Sequence, residues 1–304
     1  MSRITVFTPT YNRAYCLHKC YESLKRQTCK DFDWLIIDDG STDGTGALVK
    51  TWLSEPHDFE IRYVYKENGG MHTGYNKAYE LIAAELSINV DSDDYLTDTA
   101  IEEILQFWDS NKREDIGGIY ALDCYENGKI TGTAFPEDLK EFKGWGHKIV
   151  FYEVDGQKKK YVNHGDKKFI GVTKVINQYP PIPVFEGEKY HSLYFKQHLI
   201  ERDYSILIFN KPVCVVEYLE DGSSRNMYSQ YVKNPKGFCN ERRFVMQYAP
   251  SIRIRFVSAV HYVAESYISK DKYFLRNSTN RLLTVAAIPL GTMLYFWIRK
   301  KTSK

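Results

Sequence analysis

The chain has 304 residues, 43% of them hydrophobic and 26% charged, with a formal net charge of +2. That length and composition support a real buried core, in one large domain or one with a smaller appendage, and exclude fibrous and disordered classes. The balance of charge also gives no reason to expect a nucleic-acid partner.

The near-neutral total hides an asymmetry. Residues 225–304 carry fifteen Lys or Arg against three acids, while residues 1–224 carry 26 bases and 36 acids. Cys16, Cys20, Cys29, Cys124, Cys214 and Cys239 form no CxxC pair and no regular spacing, which fits reduced thiols in a cytosolic setting better than a disulfide framework. Met1 runs straight into "RITVFTPTYN", which reads as a strand and not as a secretory leader.

In chain order, "RITVFTPT" is β-branched and aromatic, and "AYCLHKCYESLKRQT" follows with Leu17, Cys20, Tyr21 and Leu24 at helical spacing. "DWLIIDDGS" predicts a strand and "DGTGALVKTWL" a helix with Leu48, Val49, Trp52 and Leu53 on one face. The strand "EIRYVY" ends in "KENGG", and "HTGYNKAYELIAAEL" predicts a helix that leads into the strand "SINV" and the acidic "DSDD". "TDTAIEEILQFW" opens with a cap-like Thr97 and repeats Ile101, Ile104, Leu105 and Trp108. Beyond it come a strand in "IGGIYALDCY", a basic loop "DGQKKKYVNHGDKK", and "INQYPPIPVFEGEKY", whose prolines stop any helix before "EKYHSLYFKQHLIER" starts one. "PVCVVEYLEDGSSRN" reads as a strand and a flexible loop. Finally, "LLTVAAIPLGTMLYFWI" is an uncharged run of seventeen residues between Arg281 and "RKK". Pro289 and Gly291 are expected to interrupt it, so it reads as an interfacial or re-entrant segment on an anionic membrane face, with a buried C-terminal helix as the alternative.

Repeated strand–helix–strand units argue for a parallel sheet with helices on its faces. In such sheets ligands bind outside the carboxyl ends of the strands. "TPTYN", "DDGS", "ENGG" and "DSDD" each stand just after a strand, so four polar clusters fall on one edge. Alternating carboxylates can bind a hard divalent ion that is shared with substrate phosphates, and Asp91, Ser92 and Asp93 offer that pattern. The competing reading is a surface turn in which Asp94 or Asp98 serves the following helix N-terminus.

"TVFTPTYNR", "LIIDDGSTDGT", "ENGGMHTGYNKA" and "VDSDDYL", in this order, resemble the nucleotide-sugar-dependent glycosyltransferases of family 2, which have the GT-A fold. The resemblance is dense over roughly the first 110 residues and thins to about residue 228. It implies an α/β fold with a mixed, mainly parallel, Rossmann-like sheet flanked by helices, and a basic helical C-terminal extension. It divides the chain into a donor half (1–110), an acceptor half of the same domain (111–224) and a basic C-terminal region (225–304). By the same resemblance, Thr8, Pro9, Tyr11 and Arg13 line the nucleotide pocket, with Tyr11 against the base. Asp39 reads the uracil edge, Asp38 supports the loop or ribose, and Asn68 and Gly69 border base and ribose. Asn76 and Lys77 open a helix facing the donor, Asp91 and Ser92 lie near ribose and metal, and Asp93 is the metal ligand, shared with Asp91. Arg225, in the loop after the last strand, approaches the donor diphosphate.

An inverting transfer needs one base for the acceptor hydroxyl and no protein nucleophile. "FEGEKY" offers Glu186 and Glu188, in place of the commoner adjacent Glu-Asp pair, and Glu188 is favoured with Glu186 in support. The resemblance therefore implies Mn²⁺ or Mg²⁺, a UDP-sugar donor, a bacterial glycan or undecaprenyl-linked saccharide acceptor, and residence on the cytoplasmic face of the bacterial inner membrane. The alternatives are a nucleotidyltransferase that makes an activated sugar, and a non-catalytic glycan-binding subunit on a transferase scaffold. The first should carry a Gly-rich phosphate loop after its first strand, which "TPTYNRAYCLHK" lacks.

Overall fold

The computed structural model describes residues 2–146, 149–217 and 227–302. The chain divides into two units: Met1–Pro181 with Lys196–Tyr218, and Ile182–Phe195 with Leu219–Lys304.

The first unit starts with the alternation expected. Strand β1 (Ile4–Thr10) is followed by α1 (His18–Lys25), β2 (Phe32–Asp38), α2 (Thr45–Leu53), β3 (Glu60–Tyr65), α3 (Met71–Leu81), β4 (Leu86–Asn89), β5 (Tyr95–Leu96) and α4 (Ala100–Asn111). Then come β6 (Ile116–Cys124), β7 (Glu141–Lys143), β8 (Ile149–Val154), β9 (Gln157–Val162), β10 (Lys167–Val172), α5 (Thr173–Ile176), α6 (Tyr194–Asp203) and β11 (Ser205–Val215). The main sheet has nine strands in the order β3-β2-β1-β4-β10-β6-β11-β5, with β7 also on β11. The first four pair in parallel, β10 runs antiparallel to both β4 and β6, and β11 is parallel to β6. The result is a mixed, mainly parallel α/β sheet of the GT-A kind.

Strand alternation sends Val6, Trp34, Ile36 and Ile88 to one face, where Leu17, Cys20, Tyr21, Leu24, Val49, Trp52, Ile101 and Ile104 complete a core. Helix α3 covers the other face, where Phe7 meets Tyr75 and Tyr79 edge-on at 5.1 and 5.5 Å. A second apolar cluster gathers Tyr120, Phe142, Phe169, Ile200 and Ile206 around β6 and β10.

The second unit is helical: α7 (Met227–Lys233), α8 (Pro235–Tyr248), α9 (Ile252–Ile268), α10 (Phe274–Asn277) and α11 (Arg281–Thr302). Met246, Ala259, Tyr262, Val263 and Ala287 form its core.

Several expectations change. The basic stretch around Lys158–Lys160 is no loop but the β8–β9 hairpin, turned at Asp155-Gly156 with φ of +52° and +74°, the pair a tight primed turn requires. Glu186 and Glu188 do not open a helix: Gly187 takes φ +77° and helical structure starts only at Tyr194. Thr97 gives α4 no side-chain cap, since its N–H joins Val213 O and α4 starts after Thr99. The helix of α3 ends at Leu81 rather than reaching Leu86. Residues 182–195, expected in the acceptor half, belong with the C-terminal helices, because Tyr190 stacks on Phe238 at 4.6 Å and Lys189 N–H donates to Asn234. Helix α11 runs unbroken through Pro289 and Gly291. Pro289 lies on the exposed side, and Gly291 lies against α9 where a Cβ would come within 2.5 Å of Val263. All six cysteines are free thiols.

Candidate active site

Parallel pairing of β1 with β2 puts Thr10 opposite Asp38, so the loops after both strands leave the sheet side by side. They are tied there. Asn12 N–H donates to Ser41 Oγ at 2.9 Å, and Thr42 N–H returns to Asn12 Oδ1 at 2.8 Å. Asp38, 1% exposed, accepts from Ser41 N–H at 2.8 Å and from Tyr63 Oη at 2.6 Å, which fixes the start of the turn. Gly40 sits at φ +84° with Asn68 so close that a Cβ would lie 2.7 Å from its nitrogen.

Asp39 joins the third loop to the other two. Its carboxylate accepts from Gly69 N–H at 3.0 Å and Gly70 N–H at 2.8 Å, at the N-terminus of α3, and is paired with the Lys66 ammonium. Asn68 Nδ2 donates to Asp39 O at 2.8 Å. Asp39 thus organises the "ENGG" loop in this structure. Among the other residues expected around the nucleotide, the Thr8 hydroxyl is buried and accepts from Trp34 Nε1 at 3.0 Å, so the core uses it. Pro9 packs against Gly74 of α3. Tyr11 is 47% exposed, and Arg13 donates to Tyr15 Oη at 3.0 Å with its guanidinium over that ring. On α3, Asn76 and Lys77 are half-buried, and Lys77 pairs with Glu80 at 2.8 Å.

The acidic segment leaves β4 beside β1, where Val90 N–H still donates to Phe7 O at 3.1 Å. Its three acids have different surroundings. Asp91 is half-exposed and accepts from Asn89 Nδ2 at 2.8 Å, Asp93 is half-exposed, and Ser92 is buried. Asp94 is buried. It faces the Lys168 ammonium at 3.7 Å, which stands 3.7 Å from Asp123 as well, and accepts from Glu217 N–H at 3.2 Å. Burial pushes the Asp94 carboxyl up to about 8 and Asp123 up to about 6, with Lys168 opposing both shifts. Burial also opposes the charge on Lys168, but the surrounding anions outweigh it and hold its pKa well above the ordinary value. Asp94 is therefore a core acid, and the helix-capping alternative fails for it; Asp98, too, is engaged elsewhere, with Arg26 at 3.0 Å.

In the second unit, Glu188 is 9% exposed and its carboxylate accepts from Lys236 N–H at 3.0 Å and Gly237 N–H at 2.8 Å. These are the first N–H groups of α8, whose leading residue is Pro235. Glu186 is exposed. Arg225 lies outside the described residues.

Sequence reasoning missed Lys66, Asp123 and Lys168. Lys66 directly follows β3 and precedes "ENGG", so its place at the edge was readable. Lys168 shares the sheet face of Ile170, and Asp123 that of Ala121, an alternation concealed by reading "GDKK" as a loop.

Among the described residues no group of three or more His, Cys, Asp or Glu could hold a metal alone. Mg²⁺ and Mn²⁺ sites that share substrate phosphates use one or two carboxylates, and the half-exposed Asp91 and Asp93 at a strand's carboxyl end fit that donor set.

A model of the family described as Glycosyl transferase family 2 matches residues 5–168. The chain is 32% identical over 167 residues to Glycosyltransferase GlyA of Streptococcus pneumoniae serotype 4, across 47% of this chain and 24% of that protein. It is 33% identical over 104 residues to the chondroitin synthase of Pasteurella multocida, across 34% of this chain and 10% of that protein. The chain thus spans about a quarter or less of these two curated relatives. Residues 1–349 of S. aureus TarS, solved with UDP-GlcNAc, superpose with a TM-score of 0.55 at 15% identity, across 94% of this chain and 79% of that one. The mannosyltransferase PcManGT of Pyrobaculum calidifontis, solved with GDP-Man and Mn²⁺, gives 0.56 at 15% identity, across 96% and 73%.

Proposed function

The chain belongs to glycosyl transferase family 2, and on that premise we propose that it moves a sugar, with inversion, from a UDP-sugar to a bacterial cell-surface glycan or lipid-linked saccharide. The observation that carries the reading is the division of the acidic segment: Asp94 is neutralised inside while Asp91 and Asp93 stay half-exposed at the carboxyl end of β4. A TarS solved with UDP-GlcNAc and a PcManGT solved with GDP-Man and Mn²⁺ support a nucleotide-sugar donor and a metal, and a chondroitin synthase among the relatives supports a saccharide acceptor.

Asp93, with Asp91, would hold Mn²⁺ or Mg²⁺, which when bound supplies positive charge to the departing diphosphate. The chain does the rest. Tyr11 stacks on the base, Arg13 draws the donor in, and the tied loops at Asp38, Asp39, Asn68 and Gly69 fix where the nucleoside lies. Asn76 and Lys77 border the donor from α3. Glu186 takes the proton of the acceptor hydroxyl as that oxygen bonds the anomeric carbon and the bond to the diphosphate breaks. Glu188 is the weaker candidate for base because two backbone N–H groups occupy it.

Residence on the membrane rests on α11. Leu282, Val285, Leu290, Met293, Phe296 and Trp297 are exposed along one side, while Thr284, Ala287, Gly291 and Ile298 are buried on the other. We place this helix in the plane of an anionic bilayer on its cytoplasmic face, with Arg281, Arg299, Lys300 and Lys301 at its ends. Spanning is disfavoured because α9, packed on α11, carries Glu265 and His261 close to Arg242, and these charges would have to enter the bilayer with it.

Release of UDP from a panel of UDP-sugars with Mn²⁺, with and without saccharide acceptors, tests the activity. No metal-dependent release from any donor would return the chain to a binding role, and pyrophosphate-linked synthesis of a nucleotide sugar would make it a nucleotidyltransferase.

A further inference from the structure

The second unit contains a cavity of about 360 Å³ along one face of α8. Lys236, Cys239, Asn240 and Arg243 line it at i, i+3, i+4 and i+7, with Tyr262 of α9 and Asn277 of α10 opposite. Two cations and one carboxylate, Asp271, line it. Among the described residues no carboxylate pairs with Lys236 Nζ or with the Arg243 guanidinium, and Arg243 Nε is buried with no hydrogen-bond partner.

Asp271, on the same wall, pairs with neither cation. Its carboxylate accepts from Tyr273 N–H at 2.8 Å and from Asn277 Nδ2 at 3.0 Å, which holds the Asn277 amide in place. Asn240 Oδ1 meets His191 Nε2 at 3.1 Å, so its amide nitrogen is the end left for the cavity. The cavity therefore offers a guanidinium, an ammonium and a side-chain amide as donors, beside the half-buried ring of Phe185. Arg and Lys together suit phosphate oxygens, and aromatic walls suit the apolar face of a sugar ring.

We propose that this cavity binds a phosphate group carried on a saccharide. Phe185 of its lining immediately precedes Glu186 in the chain, so the phosphorylated saccharide is the acceptor of the transfer; that last step rests on the function proposed above.

Isothermal titration of the full chain in EDTA, which removes divalent ions from the donor site, would use three probes: N-acetylglucosamine 1-phosphate, inorganic phosphate and methyl N-acetylglucosaminide. The sugar phosphate binds best, and its affinity falls on the order of tenfold in Arg243→Gln and again in Lys236→Gln, while Arg243→Lys keeps part of it. Lys236 is exposed, so its variant carries the test if Arg243→Gln fails to fold. Unchanged affinity in both neutral variants, or equal binding of the uncharged glycoside, overturns the site. Inorganic phosphate binding as tightly as the sugar phosphate overturns the saccharide half of the assignment. Displacement of the sugar phosphate by phosphatidylglycerol vesicles, lost in Arg243→Gln, transfers the site to a lipid headgroup and overturns it likewise. The two readings fail separately: absent sugar-phosphate binding with intact UDP release sinks the cavity alone, and the reverse sinks the transferase alone.

Discussion

Glu188 and Glu186 stand two residues apart, and removing each should produce different damage. Pro235 leads α8 and has no N–H, so Lys236 and Gly237 carry the first orphan donors of that helix, and both donate to Glu188. Losing an N-cap acceptor costs about 0.5–2 kcal/mol, and hydrogen bonds to a charged group contribute about 1.5–3 kcal/mol. The carboxylate also faces the positive end of the helix. Glu188→Ala is therefore expected to destabilise the chain by about 2 kcal/mol, a fall in Tm of about 4–8 °C at the usual scaling for domains of this size. Glu188→Gln keeps an acceptor but not the charge, and should lose about half as much.

Glu186 is exposed, and its substitution should leave Tm alone. As the base it should instead control turnover: Glu186→Gln lowers kcat by roughly 10²–10⁴, while Glu188→Gln, assayed well below its Tm, loses less than about tenfold. Thermal unfolding followed by circular dichroism, paired with coupled UDP-release kinetics on the same four preparations, separates the roles. A Glu188→Gln protein with wild-type Tm and abolished kcat would refute the assignment and return the base to Glu188.

Further outcomes follow from the donor side and from α11. Asp93→Ala should lower metal-dependent UDP release by at least roughly a hundredfold and abolish Mn²⁺ binding measured by titration in the presence of UDP; retained Mn²⁺ binding would place the metal elsewhere. Lys168→Met strands two buried carboxyls and should cost about 3–5 kcal/mol at pH 8. The cost should shrink at pH 5, because an acid raised to about 8 keeps its proton in the folded state there, and the stability bound up with that proton falls away progressively as pH rises from the ordinary carboxylate range to about 8. Urea melts at the two pH values check this, and an equal cost at both would show that Asp94 ionises normally. Replacing Phe296 and Met293 by Glu should cut sedimentation with phosphatidylglycerol vesicles by more than tenfold and remove any vesicle-induced blue shift of Trp297 fluorescence; unchanged binding would take the membrane away from α11.

How far the sequence could carry these assignments depends on whether the signal was local. Strands β1 to β4 and their helices were legible because each carries its own period: Leu17, Cys20, Tyr21 and Leu24 all reach the core, as spacing alone requires. The edge loops were legible as a group, since strand, polar cluster and helix follow one another four times. What each loop residue touches was not. Asp39 looked like a group aimed at a ligand, yet its oxygens bind Gly69, Gly70 and Lys66, contacts set by β2–β3 pairing thirty residues along the chain. Glu186 and Glu188 looked like the start of a helix because acids favour that position. The rule was sound and applied to the wrong helix, since Glu188 serves α8 nearly fifty residues later.

The acidic segment shows the same limit from inside a single motif. Three carboxylates in four residues imply something positive nearby, and local reasoning supplied one cation for all of them. Burial instead divides them: Asp94 meets a protein ammonium on β10, while Asp91 and Asp93 remain half-exposed at the sheet edge. The buried Lys168 lies close enough to Asp94 and Asp123 to lower the repulsion inside the turn. A divalent ion at the proposed site would then have two carboxylates to neutralise rather than three, which suits a metal that must also bind, and later release, a diphosphate. Lys168 thus belongs to the architecture of the proposed metal site without reaching the ion, and Lys168→Arg, which keeps the charge but enlarges the head group, should disturb apparent Mn²⁺ affinity more than it disturbs UDP binding measured in EDTA.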